Sequence, residues 1–141
     1  LLKHTDASDL KMKDLGALNL KILIAEDNEV NYKIASAYLA HWHVFSEQAL
    51  DGKEVIIKAK GGEFDLILMD LQMPNMDGYE AASKIRAMKG AEGKVPIIAL
   101  TASAMLEIRQ RAFDAGMNDY VSKPFNPKEL FRKISKYVVE S

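Results

Sequence analysis

Five polar residues stand directly behind apolar runs in this 141-residue sequence. Glu26 and Asp27 follow KILIA (21–25), Asp70 follows FDLILM (64–69), Thr101 follows VPIIAL (95–100), and Lys123 comes soon after the Tyr120-Val121 pair. An acid ending an apolar run is costly to bury unless something pairs with it. Two carboxylates ~4 Å apart repel by ~4 kcal/mol at an effective dielectric of ~20. Three ionised acids brought together therefore call for a cation or for raised pKa values. Oxygen donors without His or Cys suit a hard ion, and Mg²⁺ fits a site that keeps waters and serves a phosphate. A metal, an ammonium and a hydroxyl around an oxygen nucleophile can stabilise a transferring phosphoryl group, and Asp70 can itself be that nucleophile.

Taken singly, each residue has a plainer role. Glu26-Asp27-Asn28 can open a helix, where the dipole favours acids. Asp70 can be a loop acid, Thr101 an N-cap for a helix beginning at Ser103, and Lys123 a solvated turn residue. The elements that carry them decide between the two readings. The runs are continuous rather than alternating, as in parallel strands covered on both faces. Tyr120-Val121 is a fourth, shorter strand, and HVFSEQAL (43–50) is read as an edge strand although neither of its faces is consistently apolar.

Helical patterns lie between the strands. Val30, Ile34, Ala37 and Tyr38 share one face, as do Tyr79, Ala82, Ile85 and Met88. A helix is expected over 52–60, and another over 103–115 stopped by Gly116. The last helix carries Asn126 as N-cap, Pro127 at N1 and Glu129 at N3, with Phe125 and Leu130 in staple positions and Leu130, Ile134 and Val138 as its buried stripe. Five βα units in succession predict an α/β fold, an open parallel sheet with helices on both faces. In such sheets a ligand binds beyond the carboxyl ends of the strands, which is where the five polar residues stand.

Composition bounds the rest. The chain is 48% hydrophobic and 28% charged with a formal net charge of -1, so no global field draws it to nucleic acid or anionic lipid. It has no cysteine, which excludes disulfides and thiolate chemistry. No apolar run approaches a membrane span and no signal-peptide pattern opens the chain, so a cytoplasmic location is expected. Residues 1–19 are read as a linker on which Leu10, Leu15 and Leu18 rest against a domain spanning 20–141. The start Leu1-Leu2-Lys3, without methionine, suggests a segment of something longer.

The set AEDN (25–28), ILMDLQMPNMDG (67–78), ALTAS (99–103) and DYVSKPF (119–125) resembles the receiver domain of two-component response regulators. The resemblance covers residues from about 20 to 139, and it is the combination that is specific. It implies a flavodoxin-like (βα)5 sheet of strand order 2-1-3-4-5. It implies that Asp70 is the phosphoacceptor, that Asp27 and Asp70 ligate Mg²⁺ directly (Mn²⁺ being a substitute), that Glu26 acts through water, and that Gln72 offers a backbone carbonyl. Lys123 matches the lysine that pairs with Asp70 and then with a phosphoryl oxygen, and Ala102 is the small residue beside that group. Thr101 and Tyr120 match the hydroxyl and aromatic of the switch, with Gln72 and Ser103 tuning phosphoryl lifetime. Pro124 matches a proline after a cis peptide, here Lys123-Pro124.

The implied function is Mg²⁺-dependent transfer of a phosphoryl group from a partner phosphohistidine to Asp70, within a phosphorelay. The partner is the dimerisation and phosphotransfer domain of a histidine kinase or a histidine phosphotransfer protein, with neither nucleic acid nor membrane contacted by this domain. The expected setting is the receiver module of a hybrid sensor histidine kinase, which can be the cytoplasmic part of a membrane-bound sensor. A free-standing regulator is the alternative. A phosphohydrolase with an aspartyl-phosphate intermediate is disfavoured, because its nucleophile follows the first strand in a DxD arrangement where this chain has Glu26-Asp27-Asn28. A receiver-like module that is never phosphorylated is disfavoured by the intact acid, hydroxyl and lysine set.

Departures from the family pattern are few. Ser46 and Gln48 are polar where receivers carry apolar strand residues, leaving the pairing of that edge open, and Asn118 stands where an acid is common. His41 and His43 flank Trp42 without a third ligand nearby and are read as surface residues. Met69, Met73 and Met76 are read as packing, and Arg109, Arg111 and the C-terminal lysines as a solvated face.

Overall fold

The structure, a computed structural model, describes residues 15–138. Five strands, β1 (Lys21–Ala25), β2 (Phe45–Ala49), β3 (Leu66–Asp70), β4 (Ile97–Thr101) and β5 (Asp119–Ser122), alternate with five helices. The helices are α1 (Glu29–His41), α2 (Gly52–Ala59), α3 (Gly78–Arg86), α4 (Leu106–Asp114) and α5 (Pro127–Val138), and a short 3-10 turn spans Ala91–Lys94. All neighbouring strands pair in parallel in the order β2-β1-β3-β4-β5, the flavodoxin-like arrangement expected from the resemblance.

Alternation along each strand divides the core. Ile22 and Ile24, with Leu66, Leu68, Ile98 and Leu100, pack on α1 and α5. Their neighbours Leu23, Ile67, Met69, Ile97 and Ala99 face α2, α3 and α4. Both faces are covered, which is why the strands are apolar throughout. Leu15 is fully buried and Leu18 packs beside it, whereas Leu10 lies outside the described residues.

Strand limits differ from the sequence expectation in an informative way. β3 and β4 begin two residues later than expected and end one residue later, so Asp70 and Thr101 are the last residues of their strands. The late start of β4 follows from Pro96, which has no N–H to give a ladder. The late end matters more: Asp70 pairs with Leu100 in the β3–β4 register, so sheet hydrogen bonding itself holds the acid. β2 pairs with β1 in register despite Ser46 and Gln48. The Gln48 amide finds a specific partner, donating to the Glu26 carbonyl at 3.0 Å.

Four helices start on side-chain caps. Asn28, Asp51, Asp77 and Asn126 accept from the N–H three residues on at 3.0, 2.8, 2.9 and 3.1 Å. Gly116 (φ 104) follows α4 as expected.

The face of α1 is a correction. Val30 and Ile34, expected inside, are 66% and 39% exposed, and Ala37 also faces solvent. Ala35 and Leu39 are the buried positions, continued by Trp42 at the C-cap. Apolar residues occur on more than one side of this helix, and periodicity alone cannot choose between two stripes. Of the cations expected on a solvated face, Arg111 and Lys136 are exposed, whereas Lys133 is buried, which is a correction. The Lys133 ammonium lies under the sheet edge, donating to Asp119 Oδ1 at 3.0 Å and to the Tyr120 carbonyl. Arg109 and Arg111 lie over the rings of Tyr120 and Tyr79.

Candidate functional site

The carboxyl ends of β1, β3, β4 and β5 open on a cavity of about 680 Å³. Glu26, Asp70, Thr101, Ala102 and Lys123 line it, with Gln72 and Ser103 on the connecting loops. Asp27 stands beside it, exposed, and carboxylate oxygens of Glu26, Asp27 and Asp70 all lie within 4.8 Å of one another.

Each acid is held differently. Glu26 is wholly buried, its main chain pinned by its N–H to the Ala49 carbonyl at 3.1 Å and by the Gln48 amide on its own carbonyl. Its Oε2 accepts from the Asn28 N–H at 3.2 Å. Oε1 lies 2.7 Å from Lys123 Nζ without making a well-aligned hydrogen bond, so that contact is mainly charge on charge. Burial, then Asp70, pushes the Glu26 carboxyl up to about 7 against the opposing Lys123. Asp70 is 8% exposed; its Oδ1 accepts from the Gln72 N–H at 3.1 Å and its Oδ2 lies 3.2 Å from Lys123 Nζ.

Burial alone would lower the Lys123 pKa, but the Glu26 and Asp70 carboxylates raise it above the ordinary lysine value. Lys123 reaches them from a β5–α5 connection in which the Lys123-Pro124 peptide is cis and the Lys123 N–H donates to the Thr101 carbonyl at 2.8 Å. An incompletely bonded, buried carboxylate oxygen among oxygen donors of one sign is the chemistry that a hard divalent cation satisfies. Glu26, Asp27 and Asp70 fit such an ion.

Thr101 is buried, and its hydroxyl is tied to Ser103, accepting from its N–H at 3.0 Å and donating to its carbonyl at 3.2 Å. Tyr120 stands apart from the cavity, half-buried, with its ring edge-on to Phe113 and under two cations. The Arg109 guanidinium is 4.3 Å and Lys133 Nζ 4.1 Å from the ring centroid. Behind Asp70 the loop is braced from two sides. Gly78 N–H donates to the Leu71 carbonyl, and the Asn75 side chain and Met76 carbonyl bind Asp51 and Gly52 at the start of α2.

Residues that sequence reasoning did not place at the site include Asn31, Asp77, Tyr79, Ile108 and Arg111, all of which line the same cavity. Only Asp77 carried a signal, as a helix-capping acid ahead of Gly78.

The chain is thus an open parallel α/β domain with a charged, oxygen-rich crevice at its strand ends. The profile of the response regulator receiver domain matches residues 22–135, and the chain belongs to that family. It is therefore a receiver domain of two-component signalling. It is 48% identical over 120 residues to hybrid signal transduction histidine kinase G of Dictyostelium discoideum, covering 84% of this chain but 4% of that protein. The receiver domain of the sensor histidine kinase PA1611 of Pseudomonas aeruginosa, solved with magnesium in its active-site cleft, superposes with a TM-score of 0.79 at 39% identity, covering 85% of this chain and 98% of that one. The Saccharomyces cerevisiae receiver domain of Ssk1, solved with the histidine phosphotransfer protein Ypd1, gives 0.77 at 34% identity over 84% and 88% of the two chains. No helix among the described residues is long and apolar enough to cross a membrane.

Proposed function

We propose that Asp70 is the phosphoacceptor of a phosphorelay, receiving a phosphoryl group from a partner phosphohistidine in a Mg²⁺-dependent reaction. The observation that carries this is the setting of Asp70, buried at the end of the central strand between Lys123 and the Glu26–Asp27 acids. A carboxylate at the edge of this cavity, with Lys123 Nζ 3.2 Å from one oxygen, is a nucleophile for phosphorus. An Asp70 oxygen forms the new P–O bond as the P–N bond to imidazole breaks, and the imidazole keeps that bond's electron pair. Asp27, Asp70 and the Gln72 carbonyl would hold Mg²⁺, with Glu26 acting through water, and the ion would supply neutralisation of phosphoryl charge. Lys123 exchanges its Asp70 contact for a phosphoryl oxygen, and Ala102 leaves room beside it.

The phosphoryl oxygens, carrying about -1.5 to -2 where a single carboxylate stood, give Thr101 a reason to leave Ser103, and Tyr120 follows. The partner fits the surface next to the site. Val30 and Ile34 are exposed on α1 immediately after the acidic turn, an apolar patch suited to a helix presenting a phosphohistidine. The Dictyostelium hybrid kinase and the Pseudomonas sensor-kinase receiver support a hybrid-kinase setting, and the complex with Ypd1 supports a histidine phosphotransfer partner. On this reading residues 20–141 are the receiver unit, in the cytoplasm. The test is phosphorylation by a small phosphodonor with Mg²⁺. Wild type becomes labelled, while Asp70→Asn and chelated wild type do not. Label surviving in Asp70→Asn would remove Asp70 as acceptor, and an unlabelled wild type would favour a receiver-like module that is never phosphorylated.

A further inference from the structure

We propose that Arg111 captures the anionic phosphodonor at the mouth of the acidic cavity, an assignment that rests on the phosphoacceptor reading above. Two cationic side chains line this cavity, Lys123 and Arg111. The Lys123 charge is already countered, with Glu26 Oε1 at 2.7 Å and Asp70 Oδ2 at 3.2 Å. Arg111, in the last turn of α4, forms no ion pair with any carboxylate among the described residues. Its guanidinium lies 3.9 Å from the centroid of the ring of Tyr79, which lines the same cavity.

That stacking holds a long, exposed side chain extended, so little further order is lost when it takes a ligand. The surrounding rim is acidic, with Asp77 joining Glu26, Asp27 and Asp70. A phosphodonor anion must approach against those carboxylates. An unpaired guanidinium, weakly hydrated and forked, is suited to phosphate oxygens at that point of entry. It acts on capture of the donor, while the bond change stays with Asp70.

The test compares wild type, Arg111→Ala, Arg111→Lys and Arg132→Ala, the last removing an equal charge from the exposed side of α5. Each is phosphorylated with Mg²⁺ by acetyl phosphate, a doubly charged donor at neutral pH, or by singly charged phosphoramidate. Arg111→Ala lowers kcat/KM about fivefold for acetyl phosphate and about twofold for phosphoramidate, through KM. The deficit fades toward about 0.5 M salt. Arg111→Lys recovers most of the loss, Arg132→Ala behaves as wild type, and Mg²⁺ affinity is not weakened by Arg111→Ala. A wild-type rate in Arg111→Ala, an equal loss for both donors, a loss that persists in high salt, or the same loss in Arg132→Ala overturns the assignment. Failure of wild type itself to be labelled overturns the phosphoacceptor reading and this one with it.

Discussion

Gly78→Ala tests how tightly the loop behind Asp70 is packed. A Cβ at residue 78 would fall inside the van der Waals sphere of the Asp70 carbonyl oxygen, and 3.1 Å from both Leu71 Cα and Met69 Cγ. Two of these neighbours are main chain and the third belongs to a fully buried methionine, so none can swing aside. Overpacking of this kind costs about 1–3 kcal/mol, and main-chain contacts place Gly78 at the upper end. Alanine recovers about 0.5–1 kcal/mol by limiting the unfolded chain, leaving a net loss of about 2 kcal/mol. For a domain of this size that is a fall of about 6–8 °C in Tm, read by calorimetry or circular dichroism. Gly61→Ala is the control. Its nearest neighbour is the Glu63 Oε1 atom at 3.3 Å, the end of an exposed side chain, so its change stays within about 0.5 kcal/mol. Relief of the clash displaces Asp70 as well, so Mg²⁺ binding weakens in Gly78→Ala and not in Gly61→Ala. Equal stability and equal Mg²⁺ affinity in the two variants would refute the packing account.

Two further outcomes follow from buried charge. With the Glu26 carboxyl at about 7 in the metal-free protein, the folded state holds a proton that the unfolded state has lost. Metal-free stability therefore falls as pH rises from about 4.5 to about 7, while Mg²⁺ affinity rises over about pH 6–8 with proton release. Calorimetry in buffers of different ionisation enthalpy detects that proton, and Glu26→Gln abolishes both dependences. At the opposite edge, burial would raise the Asp119 carboxyl, but the Tyr120 N–H, Lys133 and Tyr137 hold it below the usual carboxylate range. Its stabilisation is full above the unfolded value near 4 and is lost as pH falls through the lower folded value. Asp119→Asn strands the Lys133 ammonium, costs about 2–3 kcal/mol at neutral pH by urea unfolding, and flattens the acid limb of the stability curve.

Much of the architecture was legible because its signals are local. Apolar runs of strand length, capping residues and the stop at Gly116 depend on neighbours in sequence, and they place β1, β3, β4 and the helices to within a few residues, whereas β2, with no consistently apolar face, carries no such signal. The rule that parallel sheets bind ligands at their carboxyl ends then put Glu26, Asp27, Asp70, Thr101 and Lys123 on one rim. Where local signals were ambiguous the reading failed. Ala35 and Leu39, rather than Val30 and Ile34, face the core, because α1 carries apolar residues on more than one side.

The sequence by itself determined the alternation of elements and the identity of the chemical groups at the strand ends, since periodicity and residue type are properties of the chain. Only the tertiary structure decided how those groups are held. The sheet ladder takes in Asp70 and Thr101, Gln48 reaches across from β2 to the Glu26 carbonyl, and Lys123 settles between two acids. That Lys133 is a buried cation paired with Asp119, and Arg111 an exposed one stacked on Tyr79, was equally a tertiary matter. Their charges are visible in any sequence, but the energy of a charge depends on burial and on which partners lie within a few ångströms, and residues far apart in the chain set both.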